Sequence, residues 1–222
     1  MNESKLISLS KISHELKNPL TLIQSTLQLI GCHYPEVTKD PMWSQLLLDT
    51  KYMSQLLSEL SSLNSCQNMK YAKINIRQFW TEIVNSFSSL AHIQGKKLQL
   101  NFNIFSENFS GDPLKLREVF CNLIKNAFDA TDIGDEIFVD VKSQWKCLIV
   151  IISDTGCGID KERLENIFQP FVTYKPNGTG LGLPIVKNII NAHGGTVQVY
   201  SKPETGTKFM VVLPLEPSEK KE

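Results

Sequence analysis

The sequence of 222 residues lacks the features that define several classes of protein. No two of its five cysteines form a CxxC pattern, so neither a disulfide framework nor a zinc site is indicated. Lysine plus arginine and aspartate plus glutamate both number 23, and this zero net charge excludes a basic field for nucleic acid or an anionic membrane. The longest strongly apolar run, Cys147 to Ile152, is far shorter than the ~20 residues that span a bilayer, and no signal-peptide core follows Met1. We therefore expect a cytoplasmic chain without contacts of its own to nucleic acid or membrane, while a membrane-anchored parent protein stays open.

The chain divides by its residue pattern into two parts and a tail. Its apolar content of 41% and charged content of 21% are those of a globular protein. A length of 222 residues allows one large domain or two small ones. We predict an α+β protein with a helical hairpin at 1–70, a mixed part at 71–216 and a charged tail at 217–222.

Apolar residues in the first part recur at heptad spacing. They step alternately by three and four residues and so form one helical seam with a single polar member: Leu6, Leu9, Ser13, Leu16, Leu20, Ile23, Leu27 and Ile30. Turn residues near Gly31 and at Asp40-Pro41 separate it from a second seam. This second seam runs through Leu46, Thr50, Met53, Leu57 and Leu60. We predict an antiparallel hairpin, whose remaining apolar surface a second copy covers to give a four-helix bundle.

The second part mixes strand and helix patterns, which predicts an α/β sandwich. The predicted elements are a strand at 97–105, a helix at 112–129 opened by Asp-Pro, strands at 136–142 and 145–153 joined by a turn at 143–144, a helix at 185–192, and a closing hairpin of 196–200 with 207–213.

The motif HELKNPL on the first predicted helix carries candidate catalytic chemistry. His14 and Asn18 lie four residues apart and share the face opposite the leucine seam. Glu15 can accept a proton from one ring nitrogen, and Pro19 is expected to kink the helix. A lone surface histidine is ordinarily unremarkable; the adjacent carboxylate and proline favour catalysis here.

A polar row follows one face of the helix at 112–129. Glu118, Asn122 and Asn126 recur every four residues. Amide oxygens can complete a Mg²⁺ shell that is shared with phosphates and water. The simpler interpretation is a solvated helix face, and it is weakened because the asparagines lie beside apolar positions.

The segment DTGCGI begins at Asp154, directly after a predicted buried strand. A carboxylate there can accept a hydrogen bond from an exocyclic amine, such as that of adenine. Gly156 and Gly158 would let the backbone pass close to a flat ring. A plain turn is an equally good interpretation of this segment by itself.

The segment KPNGTGLGLP joins three alternating glycines to a helix start, where free N–H groups can bind polyphosphate. A Rossmann-type dinucleotide loop fits poorly, because no strand directly precedes the segment and no βαβ unit follows it. We predict a flexible lid over phosphates. Its candidate binding residues are Lys175, Gly178, Thr179, Gly180, Leu181 and Gly182.

Taken in order, five segments resemble the catalytic core of bacterial two-component sensor histidine kinases. HELKNPL resembles the H-box of that family, EVFCNLIKNAFDAT its N-box, DTGCGID its G1 box, IFQPF its F-box and GTGLGL its G2 box. The resemblance extends from about Lys5 to Leu215. It implies that the second part has the Bergerat ATP-binding fold shared with gyrase B, Hsp90 and MutL, from which the H-box separates this chain.

The resemblance also implies a reaction. His14 would be the nucleophile that ATP phosphorylates, and Glu15 its general base or orienting partner. The phosphoryl group would pass to an aspartate of a response regulator, whose dephosphorylation would involve Asn18. The hairpin would form the homodimer.

The nucleotide and metal roles are likewise implied by the resemblance. Asn126 would bind Mg²⁺ with support from Asn122 and Glu118, and Asp154 would bind adenine. Many family members carry Lys or Arg where this chain has Asp129, so Lys125 or Lys175 is the expected substitute for that phosphate contact.

Three other functions stay open from the sequence: a phosphotransferase or phosphatase scaffold with a degenerate ATP domain, an ATPase that drives conformational change, and a serine or threonine kinase of the same ATP fold. The 222 residues leave no room for a sensory domain. We therefore expect either the catalytic core of a larger receptor or a short kinase that takes its signal from another protein.

Overall fold

The computed structural model describes residues 3–64, 69–175 and 178–216, and the side chains of residues 3–12, 14 and 64 lie outside the description. The chain folds as two compact units. The first contains Met1–Gln67 and Thr173–Leu181, and the second contains Asn68–Val172 and Gly182–Glu222. The domain boundary near residue 70 stays a prediction.

The first unit is built on a helical hairpin. Its elements are α1 (Glu3–His33), a short 3₁₀ helix (Pro35–Lys39) and α2 (Pro41–Asn64). The Asp40 carboxylate accepts the Met42 N–H at 2.8 Å and Pro41 supplies the first helical residue, so the Asp-Pro pair, predicted as a turn, also starts α2. Helix α1 continues through Pro19.

From Ser13 to Ile30, where the side chains of the heptad seam of α1 are described, every second member is buried. Ser13, Leu20 and Leu27 are buried, whereas Leu16 is 50% exposed and Ile23 is 49% exposed. The expectation that Leu16 is a buried seam residue was therefore wrong for a single hairpin. The physical reason is that residues seven apart lie almost in line along the helix and face α2. The members three positions further on lie about 60° around the helix axis, at the margin of that contact.

Polar groups join the two helices of the hairpin at mid-length. The Gln24 side-chain amide donates to the Thr50 carbonyl at 3.1 Å and to the Ser54 hydroxyl at 3.2 Å. Thr50 is buried beside them. Such buried hydrogen bonds specify the register of the helices, because a slipped pairing would leave them unmade.

The second unit is a two-layer α+β sandwich. Its helices are α3 (Ile76–Ile93), α4 (Pro113–Ala130), α5 (Lys161–Leu164) and α6 (Gly182–Ala192). Its strands are β1 (Ala72–Asn75), β2 (Lys97–Asn103), β3 (Asn108–Gly111), β4 (Glu136–Gln144), β5 (Cys147–Asp154), β6 (Thr196–Lys202) and β7 (Gly206–Pro214). The predicted α+β fold class is confirmed.

The main sheet has five strands in the order β2-β4-β5-β7-β6, and β1 pairs with β3 in a separate two-stranded sheet. Strands β2 and β4 are parallel, and the other neighbours in the main sheet are antiparallel. Alternate residues of β4 and β5 are buried. Helix α4 contacts both α3 and α6, and each of these helices contacts the sheet. The core therefore lies between one helical layer and one sheet face.

Most predicted boundaries differ from the observed ones by one to three residues, and two of the differences concern the β4–β5 turn and the start of α6. The turn between β4 and β5 lies at Trp145 and Lys146, because Gln144 still pairs with Cys147. The predicted turn at 143–144 was therefore wrong. Helix α6 begins at Gly182, three residues before its predicted start.

Within the described parts of the chain, no helix is both long and apolar enough to cross a membrane.

Candidate functional site

Helix α4 carries the polar row that the sequence singled out. Asp112 caps the helix, since its carboxylate accepts the N–H groups of Leu114 and Lys115, both at 3.1 Å. The apolar face of α4 is fully buried. Glu118, Asn122 and Asn126 are half-buried at its margin. Their shared face is thus the one the spacing predicted.

Asp154 is the last residue of β5 and is 8% exposed. Its Oδ1 accepts the backbone N–H groups of Gly156 at 3.0 Å and Thr207 at 3.1 Å. These two donors hold the carboxylate at the edge of the sheet, where the sequence placed it. An ionised carboxylate can only accept hydrogen bonds, so the ligand that Asp154 suits is one that donates.

The glycines after Asp154 allow close backbone packing. A Cβ at Gly156 would overlap the Ala130 carbonyl, and a Cβ at Gly158 would overlap the Lys202 carbonyl. Gly158 also has a φ of 69°. The loop therefore packs closely between the end of α4 and the β6–β7 turn. This packing is a second reason for glycine at these positions, besides the predicted close approach of the backbone to a flat ring.

Two further hydrogen bonds fix this loop. Cys157 donates its N–H to the Ala130 carbonyl at 2.9 Å and accepts the Glu204 N–H at 2.8 Å. Asn122 lies eight residues before Ala130, which is about 12 Å along the helix. The loop and the polar row thus occupy successive positions along α4.

The start of α6 lies near the polar row. A Cβ at Gly182 would stand 3.8 Å from Oδ1 of Asn122, so no side chain separates the first turn of α6 from the amide. The four N–H groups that open a helix have no intrahelical partner. Asn122 and Gly182, which lie far apart in the sequence, are therefore brought together.

The other residues of the predicted lid are described with the first unit. Within that unit the Thr179 hydroxyl donates to the Glu59 carboxylate. Thr179 and Leu181 are buried, Gly178 and Gly180 are half-buried, and Lys175 is exposed. Lys125, on α4 in the second unit, is also exposed.

The HELKNPL motif lies on α1. Glu15 and Asn18 are exposed, and for Asn18 its spacing from the seam predicted this. The side chain of His14 lies outside the described part of the chain. Its neighbour Ser13 belongs to the heptad seam and is buried.

A turn before β4 supports Thr155 and was missed from the sequence. The Thr155 hydroxyl donates to the Asp135 carboxylate at 2.9 Å and accepts the Glu136 N–H at 3.0 Å. The Asp132 N–H and the Thr155 hydroxyl together lower the pKa of Asp135. No residue pattern around Asp135 marked this contact, because its partner is 20 positions away.

The β6–β7 hairpin also reaches the site and was missed as a functional element. Gly206 has a φ of 106°, and a Cβ there would overlap the Asp154 carbonyl. The signal was present in the TGT run, where a glycine follows a predicted turn.

The donor set of α4 fits magnesium shared with a polyphosphate. Within the described residues, no group of three or more His, Cys, Asp or Glu could hold a metal by itself. Two amides and one carboxylate in a row are hard oxygen donors, and Mg²⁺ typically takes one or two protein ligands and completes its shell with phosphates and water. These residues do not suit zinc.

Known proteins with similar sequences include an ATPase family and named kinases. Residues 111–217 match the family described as "Histidine kinase-, DNA gyrase B-, and HSP90-like ATPase". Over 205 residues the chain is 32% identical to sporulation kinase A of Bacillus subtilis (strain 168), an alignment that covers 91% of this chain and 33% of that kinase.

Two solved structures have a similar fold. One is full-length ShkA in complex with AMPPNP, with a TM-score of 0.82 at 21% identity, covering 95% of this chain and 46% of that one. The other is histidine kinase ThkA in complex with response regulator protein TrrA, with a TM-score of 0.71 at 21% identity, covering 99% of this chain and 66% of that one.

The second unit thus has an ATPase fold of the class shared by histidine kinases, gyrase B and HSP90. The chain as a whole belongs to the sensor histidine kinases, as its motifs predicted. It spans about a third of the length of sporulation kinase A.

Proposed function

We propose that this chain is an ATP-dependent protein-histidine kinase that phosphorylates itself on His14 and passes the phosphoryl group to a response regulator. The observation that carries the proposal is the arrangement of Asp154 and the Asn122–Gly182 pair along α4. One end of this arrangement has a buried acceptor for a base, and the other has amides and a helix start for phosphates.

ATP is the nucleotide that this arrangement suits. The Asp154 carboxylate accepts a hydrogen bond from the exocyclic amine of adenine, while Gly156 and Gly158 keep side chains out of the loop beside it. The structural neighbour ShkA was solved with AMPPNP, an ATP analogue. Gly178, Thr179, Gly180 and Leu181 form the lid over the phosphates, and Lys175 or Lys125 supplies a cation.

Asn126, with Asn122 and Glu118, holds the magnesium ion that neutralises charge on the phosphates. All three side chains are half-buried, and their four-residue spacing places them on one face of α4.

The chemical step is an in-line phosphoryl transfer. An imidazole nitrogen of His14 attacks the γ-phosphorus with its lone pair, a P–N bond forms, and the bond from the γ-phosphorus to the bridging oxygen breaks to release ADP. Glu15 accepts the N–H of the other ring nitrogen and stabilises the positive charge that develops on the ring. The phosphohistidine then donates its phosphoryl group to an aspartate of the regulator, and the P–N bond breaks to restore the imidazole. Asn18 assists dephosphorylation of that regulator, in which water attacks the phosphorus and inorganic phosphate leaves the aspartate.

A homodimer and a receiver domain are the proposed partners. Half-exposed Leu16 and Ile23 on α1 are available to a second copy, which would complete a four-helix bundle. The neighbour ThkA was solved with its response regulator protein TrrA, which supports a receiver domain as the second partner.

The test is incubation with γ-labelled Mg-ATP, comparing the wild-type chain with His14→Gln. Base-stable, acid-labile label is expected on the wild type and absent from the variant, and it should move to an aspartate when a cognate receiver domain is added. His33→Gln is the matched control, because His33 lies on the same helix and is exposed.

The alternatives give different results in this assay. Undiminished base-stable label in the His14 variant would overturn the assignment of the nucleophile. Phosphate release without any phosphoprotein indicates an ATPase, acid-stable label indicates a serine or threonine kinase, and absence of ATP binding indicates a scaffold with a degenerate domain.

A further inference from the structure

Lys115 extends the polar row of α4 by one turn, towards the start of the helix. It precedes Asn122 by seven positions, so the two residues lie almost in line along the helix. The Lys115 ammonium pairs with Oε2 of Glu118 at 3.5 Å, and the two side chains are 19% and 29% exposed. Lysine side chains are mostly exposed and are seldom deeply buried unless their charge is paired. The row therefore ends in a partly buried ion pair.

Helix stability does not explain a lysine at this position. Lys115 is the third residue of α4, and the positive end of the helix dipole disfavours a cation in the first turn. The order of the pair is also the weaker one, since a glutamate that precedes a lysine stabilises a helix better than the reverse. Both features point to the ligand site on the same face of α4 as the reason for Lys115.

The proposed function, on which this inference rests, gives a bound nucleotide a direction along α4. Its base lies at Asp154, and the loop that follows contacts the Ala130 carbonyl at the end of the helix. Its phosphates lie by Asn122, where α6 begins. The triphosphate therefore extends towards the start of α4, and its last phosphate is the part of the nucleotide that comes closest to Glu118.

A carboxylate near that last phosphate would oppose binding, because like charges repel. Unit charges about 10 Å apart near a protein surface repel enough to weaken binding roughly tenfold. The ammonium of Lys115 offsets the charge of Glu118. With the amides of Asn122 and Asn126, the four side chains of the row then carry no net charge.

We propose that Lys115 is a positioning residue for the triphosphate: it holds and neutralises Glu118, so that this carboxylate supports the magnesium shell without repelling the last phosphate. Lys115 thus acts through Glu118. Its removal therefore weakens binding of a triphosphate more than binding of a diphosphate.

Lys115→Met keeps the length of the side chain and removes its charge. The affinity for AMPPNP should fall about tenfold, whereas the affinity for ADP, which lacks the last phosphate, should fall less than about threefold. The loss should shrink at high salt, because ions screen the repulsion. Lys115→Arg keeps the charge and should keep the wild-type ratio of the two affinities.

The experiment is calorimetric titration of the full chain with AMPPNP and with ADP, both in excess Mg²⁺. Arg117→Met is the matched control, because it removes the same charge from the same helix. Arg117 pairs with Glu82 of α3 at 2.8 Å and lies about 200° around α4 from Lys115, so its loss should leave the ratio unchanged. Circular dichroism reports whether each variant folds, and Lys115→Gln repeats the test if Lys115→Met does not.

The background of Glu118→Gln separates an effect through Glu118 from a direct contact with phosphate. No carboxylate remains there to be neutralised, so Lys115→Met should lower the affinity for AMPPNP less than about twofold. A tenfold loss that persists in this background would show that Lys115 contacts the phosphate itself, and would overturn its role as a positioning residue.

The outcomes separate this inference from the proposed function. A wild-type chain that binds neither nucleotide overturns the proposed function. A wild-type chain that binds both, with a Lys115→Met variant that keeps the wild-type ratio, overturns the role of Lys115 and leaves ATP binding intact. An Arg117→Met variant that changes the ratio as much as Lys115→Met overturns it as well.

Discussion

The Asp112 backbone N–H donates to Nε2 of His193 at 3.0 Å, across 81 positions of sequence. Nδ1 of the same ring lies 2.8 Å from the Ile189 carbonyl, which can only accept. The buried imidazole is therefore neutral, with its proton on Nδ1. This contact ties the N-cap of α4, and so the helix that carries the candidate magnesium ligands, to the end of α6.

We predict that the stability of the fold decreases in mild acid because of His193. Burial is the main cause that lowers the pKa of His193, and the Ile189 carbonyl and Asp112 only partly oppose it. Two titratable groups face the ring. Burial raises the pKa of Asp112, but hydrogen bonds from three backbone N–H groups outweigh it and lower that pKa, so Asp112 is ionised. Tyr71 lies against the ring, and burial together with the charge of Asp112 raises its pKa.

The sign follows from linkage. The neutral ring is favoured in the folded state, so its contribution is complete above the unfolded pKa of about 6.5 and is lost as the pH falls through the lower folded-state pKa. Each unit of lowering corresponds to about 1.4 kcal/mol. Thermal unfolding of wild type and of His193→Gln, measured between neutral and mildly acidic pH, checks this. The glutamine can still accept the Asp112 N–H and does not titrate, so an equally steep acid dependence in the variant would contradict the prediction.

Asp154→Asn should weaken binding of AMPPNP while preserving the fold. The asparagine oxygen can still accept the Gly156 and Thr207 N–H groups, but the rest of the side chain now donates where adenine also donates. Loss of a hydrogen bond to a charged acceptor costs about 1.5–3 kcal/mol. We therefore expect calorimetry to show a dissociation constant about ten to a hundred times higher. Asp140→Asn is the control, since Asp140 lies on the same sheet and accepts the exposed Asn101 amide at 3.0 Å. Unchanged AMPPNP affinity in the Asp154 variant would exclude base binding there.

Gly206→Ala should destabilise the fold more than Gly134→Ala. Both glycines have positive φ, 106° and 92°, so both variants acquire backbone strain. Only at Gly206 would the new Cβ overlap backbone, the Asp154 carbonyl; at Gly134 no heavy atom lies within 4 Å. We expect the Gly206 variant to lose at least about 1–3 kcal/mol more, the range for overpacking. Urea unfolding of the pair measures the difference, and equal losses would show that the hairpin moves freely away from Asp154.

Ile23→Glu should weaken dimerisation more than Leu22→Glu. Ile23 belongs to the heptad seam but is half-exposed in the single hairpin, whereas Leu22 lies outside the seam and is 69% exposed. Burial of an isoleucine contributes about 1.5–3 kcal/mol, so the dimer dissociation constant should rise at least about tenfold. Sedimentation analysis at several concentrations checks this. Equal effects of the two substitutions would argue against the seam as the interface.

The start of α4, its polar row and the end of β5 could be predicted from the sequence, because the residues that determine them are neighbours in the chain. Asp112 and Pro113 start α4 as the Asp-Pro pair predicted, and the polar row of α4 follows from the helical repeat. The predicted strand end at Asp154 holds for a similar reason, since alternating buried residues of β5 stop there.

The errors also have local causes. The turn predicted at 143–144 was wrong because the β4–β5 pairing continues to Gln144 and Cys147. The sequence offered no reason to place Trp145 in a turn at a φ of 57°. Cross-strand pairing overrode local preference there.

By itself, the sequence determined the helical hairpin, the α+β character of the second part, and the five motifs by which the chain belongs to the sensor histidine kinases. All of these depend on residue spacings of a few positions. Only the tertiary structure decided that the Thr207 N–H donates to Asp154, that Gly182 faces Asn122, and that His193 accepts the Asp112 N–H. Most of these contacts join residues some 50 to 80 positions apart, because the order of strands in the sheet and the packing of α4 against α6 bring them together, and no short-range periodicity encodes either.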